Sequence, residues 1–289
     1  MWITGCKGML GRELHLLLER QGLPVTGTGR ELDITDAPAL DSYAARQHGL
    51  DWIVNCAAYT AVDRAEDDAE ACRSLNVEGP GNLARTARNA GAALIHLSTD
   101  YVFDGRGAAP YREDDETRPT GVYGLSKRDG ERAALAENPD TWIIRSSWLY
   151  GSYGNNFVHT MLRLMKERGG VTVVDDQRGS PTWTRDLASA ICALITRKAA
   201  PPGIYHYAGS GNCTWFDFAR AIYGLARERR ILAGECAVNP CASGEFPSRV
   251  RRPAYSVLDT SKFRKALGLA IPPWRESLAA YLDEYKVQS

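Results

Sequence analysis

The 289-residue sequence has no excess of charge of either sign, because 35 lysine and arginine residues balance 35 aspartate and glutamate residues. Such a chain has no bulk field to attract nucleic acid or an anionic membrane surface, so any phosphate must be bound by a local site. The sequence also has no apolar run near the ~18 residues that a membrane-spanning helix requires. We therefore expect neither nucleic acid nor a membrane among its partners.

Cysteine and histidine are few and scattered. The seven cysteines include no CxxC pair, and the five histidines form no HExxH motif or cluster. This spacing argues against a disulfide framework and against a metal site, so we predict reduced thiols, several of them small buried hydrophobes, and no metal. Because Met1 leads directly into WITG, without the basic and apolar segments of a secretory signal, we expect a cytoplasmic protein.

Short apolar runs alternate with longer amphipathic stretches through the first half of the chain. This alternation predicts an α/β fold with a doubly wound parallel sheet of the Rossmann type. In such open sheets ligands bind beyond the carboxyl ends of the strands. The predicted strands are WIT, PVTGTG, WIVNCAA, ALIHLS and WIIRSSWLYG. One predicted helix begins near residue 9, and three others cover 37–47, 83–89 and 123–136.

The alternation loosens after about residue 151, although VTVVDD and IYHYAG still predict strands and 185–195 a helix. A helix with Thr214 as its cap, a loop rich in Pro, Gly and Ser, and a final helix follow. We predict that residues 1–150, with about 170–208 returning to the sheet, form a dinucleotide-binding domain. About 151–169 and 209–289 would form a smaller C-terminal substrate-binding lobe.

The segment ITGCKGMLGREL places Gly5, Gly8 and Gly11 between a predicted strand and a predicted helix. Gly5 would permit a tight turn, Gly8 would let backbone amides approach a pyrophosphate, and Gly11 would allow close helix packing. The helix N-terminus would favour negative charge. A flexible loop is the alternative, but the flanking strand and helix are those that a dinucleotide site requires.

The end of the second predicted strand bears on the type of dinucleotide. NAD sites usually carry an acidic residue there, which accepts hydrogen bonds from the ribose hydroxyls. This chain has TGTGR, so Arg30 stands where a 2′-phosphate would need a cation. The sequence therefore favours NADPH, with NADH as a second cofactor, unless Arg30 is only a solvated surface residue.

The stretch VYGLSK puts Tyr123 and Lys127 four residues apart, on one face of a predicted helix. A nearby ammonium favours the phenolate, so Lys127 would bring the Tyr123 pKa down from ~10 toward the range of a general acid. Such a pair also arises by chance, so the assignment depends on neighbouring motifs.

The stretch HLSTDYVFDG puts a Ser-Thr-Asp-Tyr cluster on the loop after a buried strand. A hydroxyl at that edge can hydrogen-bond a substrate carbonyl, although such clusters are usually turns or caps. Farther along, Trp148 could stack on a sugar or be a core residue, and Asn156 could close the same cleft. Arg249, Arg251 and Arg252 are suited either to the phosphates of a nucleotide-sugar or to a solvated loop.

The motifs GCKGMLG, NCAAYTAVD, LNVEG, STDYVFDG, VYGLSK, RSSWLYG and DDQRGSPTW, in this order, resemble the extended short-chain dehydrogenases and, most closely, the dTDP-4-dehydrorhamnose reductase family. The resemblance covers nearly the whole chain. It implies an NAD(P)H-dependent oxidoreductase that reduces the C4 ketone of dTDP-4-dehydro-L-rhamnose to dTDP-L-rhamnose, the last step of dTDP-rhamnose synthesis.

The resemblance also implies site residues. The catalytic residues would be Thr99, Tyr123 and Lys127, and Lys127 would also anchor the nicotinamide ribose. Further cofactor contacts would be Gly8, Met9, Leu10, Asp33, Ile34, Ala58, Tyr59 and Thr60. Substrate contacts would be Thr99, Asp100, Tyr123, Lys127 and Trp148, to which we add Tyr101 and Asn156 from their positions.

Two alternatives remain at this level. Another nucleotide-sugar ketoreductase or an epimerase would share the glycines and the Tyr-Lys pair, so only the substrate lobe would separate them. A non-catalytic NADP-binding subunit, similar to the regulatory subunit of methionine adenosyltransferase, would carry Ser-Ser-Asp where this chain has Ser98-Thr99-Asp100. The sequence leaves open whether the protein is a monomer or a homodimer, and whether the nucleotide is thymidine or uridine.

Overall fold

The apolar runs of the sequence form the strands of the computed structural model, which describes residues 1–197, 200–245, 249–250 and 252–288. The strands are β1 (Trp2–Thr4), β2 (Thr26–Thr28), β3 (Trp52–Asn55), β4 (Ala93–Thr99), β5 (Thr141–Ser146), β6 (Leu149–Tyr150), β7 (Gly170–Val174), β8 (Arg178–Gly179), β9 (Thr182–Trp183), β10 (Gly203–His206), β11 (Cys213–Thr214) and β12 (Ala237–Cys241).

The helices connect and cover these strands. They are α1 (Met9–Arg20), α2 (Ala37–Ala45), α3 (Ala69–Arg73), α4 (Gly79–Asn89), α5 (Val122–Glu137), α6 (Phe157–Glu167), α7 (Thr184–Arg197), α8 (Trp215–Glu228), α9 (Ser261–Leu267) and α10 (Trp274–Gln288). A π-helix covers Ser74–Glu78, and short 3₁₀ helices cover Arg64–Glu66, Asp100–Val102 and Ser243–Glu245. Within the described residues, no helix combines the length and the apolar character needed to cross a membrane.

Six strands form the central sheet in the order β2–β1–β3–β4–β5–β10, and all of its pairings are parallel. Helices α1, α7 and α9 bury their apolar residues against one face, and α2, α4 and α5 cover the other. The predicted fold class is therefore confirmed. The strand order reverses between β1 and β3, which places a ligand crevice where the loops after these two strands diverge.

A smaller lobe has its own apolar core, to which α6, α8 and α10 contribute. Strand β7, predicted from VTVVDD, lies in this lobe and pairs with β12, not with the central sheet. Its burial alternates, with Val171 and Val173 buried beside exposed neighbours, whereas β3 is buried throughout. Alternation is typical of a strand with one solvated face. Within the stretch 170–208, therefore, β10 pairs with the central sheet and α7 packs against it, whereas β7 belongs to the smaller lobe.

Helix α4 begins four residues before its predicted start at residue 83. Its first residues, Gly79, Pro80 and Gly81, resemble a helix break, but proline is well tolerated in the first turn, where its missing N–H has no intrahelical acceptor. A Cβ on Gly79 would lie 2.4 Å from the Ile34 side chain. The glycine thus lets this helix approach the loop after β2 closely.

Candidate active site

The glycine loop after β1 folds tightly against the loop after β3. Gly5 has φ +66°, and a Cβ there would lie 2.7 Å from the Ala57 nitrogen. A Cβ on Gly11 would lie 2.3 Å from the Gly5 carbonyl oxygen. Gly8 caps α1 without a side chain to occupy the free amides of the first turn. The loop is therefore a cradle of backbone N–H groups suited to a pyrophosphate.

A cleft of about 870 Å³ opens beside this cradle, within the size range of cofactor sites. It brings together most of the predicted cofactor contacts, namely Gly5, Gly8, Arg30, Asp33, Ile34, Ala58, Tyr59 and Thr60. Met9 and Leu10 begin α1, and the Leu10 side chain packs into the core, so only their backbone amides could serve a phosphate. The cradle and the cleft fit a bound dinucleotide.

The cleft also holds an acidic side chain that the sequence reasoning missed. Glu31 follows Arg30 directly, and its carboxylate turns back to accept a hydrogen bond of 2.6 Å from the Gly29 N–H. Lys7, in the glycine loop, pairs with the same carboxylate at 3.1 Å. The Gly29 hydrogen bond is the main cause that lowers the Glu31 pKa to about 2. The second strand is therefore followed by an arginine and an acid, and Lys7 of the glycine loop lies beside the acid.

Replacing Arg30 with alanine should weaken NADPH binding about 10- to 100-fold, because a charge-assisted contact contributes roughly 1.5–3 kcal/mol. NADH has no 2′-phosphate, so its affinity should change little. Isothermal titration of both cofactors would measure this. The matched control is Arg20→Ala, at the far end of α1 from the glycine loop. Equal losses for the two cofactors would rule out a 2′-phosphate contact.

The predicted catalytic groups meet at the carboxyl end of β4. Thr99 ends this strand, and its Oγ accepts a 3.2 Å hydrogen bond from the Tyr101 N–H and donates one of 3.1 Å to Asp100. The Thr99 side chain lies near enough to the Tyr123 hydroxyl to oppose part of the rise in its pKa. The Tyr101 and Tyr123 rings meet edge to face at 5.7 Å. The hydroxyl-bearing residues Thr99 and Tyr123 thus lie close together at this edge of the sheet.

Lys127 is on the same helix as Tyr123, but its amine points back to β4. Its Nζ donates a 2.6 Å hydrogen bond to the Leu97 carbonyl, and burial lowers its pKa to about 8. The pKa of Tyr123 is raised, first by burial and then by Asp100. The expected lowering of the Tyr123 pKa by Lys127 is therefore not seen in this structure, because burial of the phenol raises that pKa and the Lys127 amine is directed at the Leu97 carbonyl.

Trp148 has an uncommon backbone conformation for a residue with a side chain, with φ 48°. Its ring stacks on Trp215 at 3.5 Å and 6°, and a Cβ on Gly179 would overlap it at 2.4 Å. Asn156, by contrast, uses its amide as the cap of α6, accepting from the His159 N–H and donating to the Gly151 carbonyl. The sequence reasoning missed Trp215, because CTWFDF was interpreted only as a helix start.

Comparison with known proteins shows the family to which the chain belongs. The model of the RmlD substrate binding domain matches residues 1–287. The chain belongs to this family. A dTDP-4-dehydrorhamnose reductase of Streptomyces griseus is 48% identical over 282 residues, which are 96% of this chain and 90% of that protein.

Solved structures of RmlD-family proteins agree along the whole chain. A dTDP-4-dehydrorhamnose reductase of Clostridium acetobutylicum superposes with a TM-score of 0.93 at 39% identity and covers 99% of both chains. A dTDP-4-dehydrorhamnose reductase of Bacillus anthracis, in complex with NADP, gives a TM-score of 0.91 at 37% identity over 98% of both chains. The family predicted from the sequence is thereby confirmed.

In this RmlD-family chain the predicted basic cluster bridges the two parts of the molecule. Arg252 pairs with Asp63 at 2.9 Å, and Arg249 pairs with Asp67. Both acids are within three residues of Arg64, which lines the cleft. Arg251 lies outside the described residues. The two described arginines therefore tie the C-terminal lobe to the dinucleotide cleft in this structure.

Asp100 should make the stability of this RmlD-family chain depend on pH. It is 2% exposed, and burial raises its pKa to about 6, against 3.8 ordinarily. Between about pH 4 and 6 the native state then binds more protons than the unfolded state, so the free energy of unfolding falls as the pH rises, by about 3 kcal/mol. Asp100→Asn should lack this contribution. Urea unfolding of both proteins across that range measures the difference, and parallel pH dependences would contradict it.

Proposed function

We propose that this chain reduces the C4 ketone of dTDP-4-dehydro-L-rhamnose with NADPH to dTDP-L-rhamnose, the last step of dTDP-rhamnose synthesis. The observation that carries this proposal is full-length membership of the RmlD family, with relatives named dTDP-4-dehydrorhamnose reductase. The hydroxyl groups of Thr99 and Tyr123 at the carboxyl edge of the sheet supply the chemistry that such a reduction needs.

In the proposed mechanism each catalytic group transfers a proton, donates a hydrogen bond or carries a stabilising charge. Tyr123 donates its hydroxyl proton to the ketone oxygen as negative charge develops there, and Thr99 hydrogen-bonds the same oxygen. The ammonium form of Lys127 stabilises the phenolate that remains on Tyr123. NADPH, when bound, supplies the hydride. The raised pKa of Tyr123 keeps its proton in place until charge appears on the substrate.

We propose that the glycine cradle holds the cofactor pyrophosphate, with Arg30 at the 2′-phosphate. NADH would bind the same cleft, with the Glu31 carboxylate near its ribose hydroxyls. The proposed cofactor contacts are Gly5, Gly8, Met9, Leu10, Gly11, Arg30, Asp33, Ile34, Ala58, Tyr59, Thr60, Tyr123 and Lys127. The proposed substrate contacts are Thr99, Asp100, Tyr101, Tyr123, Lys127, Trp148 and Asn156.

We propose that the domain built on the central sheet binds the cofactor and that the smaller lobe binds the nucleotide-sugar. We assign the dTDP-linked 4-ketosugar to the space between the loop after β4 and the ring of Trp148, which has the lobe core behind it. As for its setting, we propose a cytoplasmic enzyme that works as a monomer or a homodimer.

A steady-state assay of cofactor oxidation tests the proposal. Purified protein and NADPH would be mixed with dTDP-4-dehydro-L-rhamnose, with its uridine-linked counterpart, and with a dTDP-linked 4-ketosugar of a different configuration. We expect the highest kcat/KM for dTDP-4-dehydro-L-rhamnose. Oxidation with a different ketosugar alone would assign the chain to another ketoreductase, and binding of NADPH without oxidation in any mixture would overturn the reductase function.

A further inference from the structure

Beneath the catalytic groups lies a buried row of polar side chains, of which the mechanism above uses only the last, Lys127. It runs across the sheet from Thr4 on β1 through Asn55 on β3 and His96 on β4 to Lys127 on α5. These four residues are at most 2% exposed. Because each member is shielded from water, each hydrogen bond in the row constrains the next.

Two hydrogen bonds to the side-chain oxygen of Asn55 fix the orientation of its amide group. Its Oδ1 accepts hydrogen bonds from the Ala57 N–H at 3.0 Å and from the Thr4 hydroxyl at 2.8 Å. A backbone N–H can only donate, so the atom beside it must be the amide oxygen. The Asn55 Nδ2 group therefore faces His96 Nδ1, 3.0 Å away, and donates to it.

This donor in turn fixes the tautomer of His96. A ring nitrogen that accepts a hydrogen bond carries no proton, so the proton of the neutral imidazole must be on Nε2. Burial, and next the charge of Lys127, lower the His96 pKa well below its usual range, so the ring stays neutral. The Nε2–H group then faces Lys127 Nζ at 3.5 Å.

We infer that His96 is a positioning residue for the proposed reduction: held by Asn55 with its proton on Nε2, it disfavours the ammonium form of Lys127. An ammonium has three N–H donors and no lone pair, so it cannot accept from His96, whereas a neutral amine can. The inference deepens the proposed function and rests on it for the role of Lys127. The other ionisable groups that face Lys127 are Glu131 on its own helix, Cys72 on α3 and Cys56 after β3.

It follows that the protonation state of Lys127 depends on the pH. Its pKa of about 8 means that the ammonium is lost as the pH rises through that value. Since the ammonium stabilises the Tyr123 phenolate, turnover should fall over the same range. Burial is the main cause that lowers the Lys127 pKa. The pairing of β3 with β4, which sets Asn55 opposite His96, lowers the alkaline limit of activity further.

Asn55→Asp is the substitution that reverses this arrangement with little change in shape. A carboxylate only accepts, so His96 would move its proton to Nδ1 and offer the lone pair of Nε2 to the Lys127 ammonium. The added negative charge acts in the same direction. We expect the alkaline limb of the kcat/KM profile to move up by about one pH unit or more.

The direct test is the tautomer, which needs no substrate. Long-range proton–nitrogen NMR of the histidine side chains, in the full chain without added cofactor, should show His96 protonated on Nε2. His206 is an internal reference, because its Nδ1 faces the Tyr111 carbonyl at 3.0 Å and its Nε2 faces an Arg145 donor, which requires the opposite tautomer. His96→Gln and His206→Gln assign the signals.

Each outcome of these experiments supports or overturns a specific part of the inference. An Nδ1–H tautomer or an imidazolium at His96 in the unaltered chain would overturn the inference, even where Asn55→Asp failed to fold. So would an Asn55→Asp protein with a switched tautomer and an unmoved alkaline limb. If the tautomer were as expected but no ketosugar were reduced, the proposed function would fail, and with it the positioning role of His96, while the buried arrangement would stand.

Discussion

Replacing Tyr123 with phenylalanine is expected to lower kcat by about 100- to 10,000-fold, the range for loss of a positioned general acid. The ring, its edge-to-face contact with Tyr101 and the fold of α5 would remain. Thr99 could still hydrogen-bond the substrate oxygen, but its hydroxyl is far less acidic than a phenol. The affinity for NADPH should change little, because the ring of residue 123 remains and most of the proposed cofactor contacts lie on the loops that line the cleft.

Tyr150→Phe is the matched control for that experiment. Tyr150 is fully buried in the lobe, and its hydroxyl has no hydrogen-bond partner among the described residues. The same atom is removed, so kcat should stay near that of the unaltered protein. If Tyr123→Phe retained normal turnover, or if both variants lost activity equally, Tyr123 would not be the proton donor.

Replacing Glu131 with glutamine is expected to lower the free energy of unfolding by roughly 3–5 kcal/mol, since it leaves a buried arginine without its counter-charge. Both oxygens of Glu131 accept from Arg145, at 2.9 and 2.7 Å, and both side chains are 3% exposed. The Ser98 hydroxyl donates to the same carboxylate. Glu131 lies one turn beyond Lys127, so this ion pair also links α5 to β5.

Urea unfolding measures the effect, with Glu167→Gln as the control. Arg163 and Glu167 make an ion pair at 3.0 Å, but their side chains are 61% and 52% exposed. Loss of such a surface pair should change the free energy of unfolding by less than about 1 kcal/mol. Equal shifts in the urea midpoint for the two variants would show that burial of the Glu131 pair does not matter.

The elements that the sequence predicts well are those set by local patterns. The strand–glycine–helix order around Gly5, the buried runs of β3 and β4, and the helix that carries Tyr123 and Lys127 follow from periodicity and turn chemistry. These features also determine where the cofactor cleft lies. They do not say in which direction a long side chain turns once the chain is folded.

The differences arise where tertiary contacts decide. Glu31 follows Arg30 in the sequence, yet only the folded loop shows that its carboxylate returns to the Gly29 N–H. The pairing of β7 with β12 joins segments more than sixty residues apart, so no local pattern reveals it. The stacking of Trp148 on Trp215 and the row from Asn55 to Lys127 likewise depend on register between distant elements.

In the proposed reaction, hydride reaches the C4 carbon of the sugar while Tyr123 protonates the oxygen on that carbon. The most direct test uses NADPH deuterated at its transferable position, with dTDP-4-dehydro-L-rhamnose as substrate and NMR analysis of the product. We expect dTDP-L-rhamnose with deuterium at C4 and one oxidised cofactor per sugar. A product without deuterium, a label at another carbon, or isomerisation of the sugar without oxidised cofactor would contradict it.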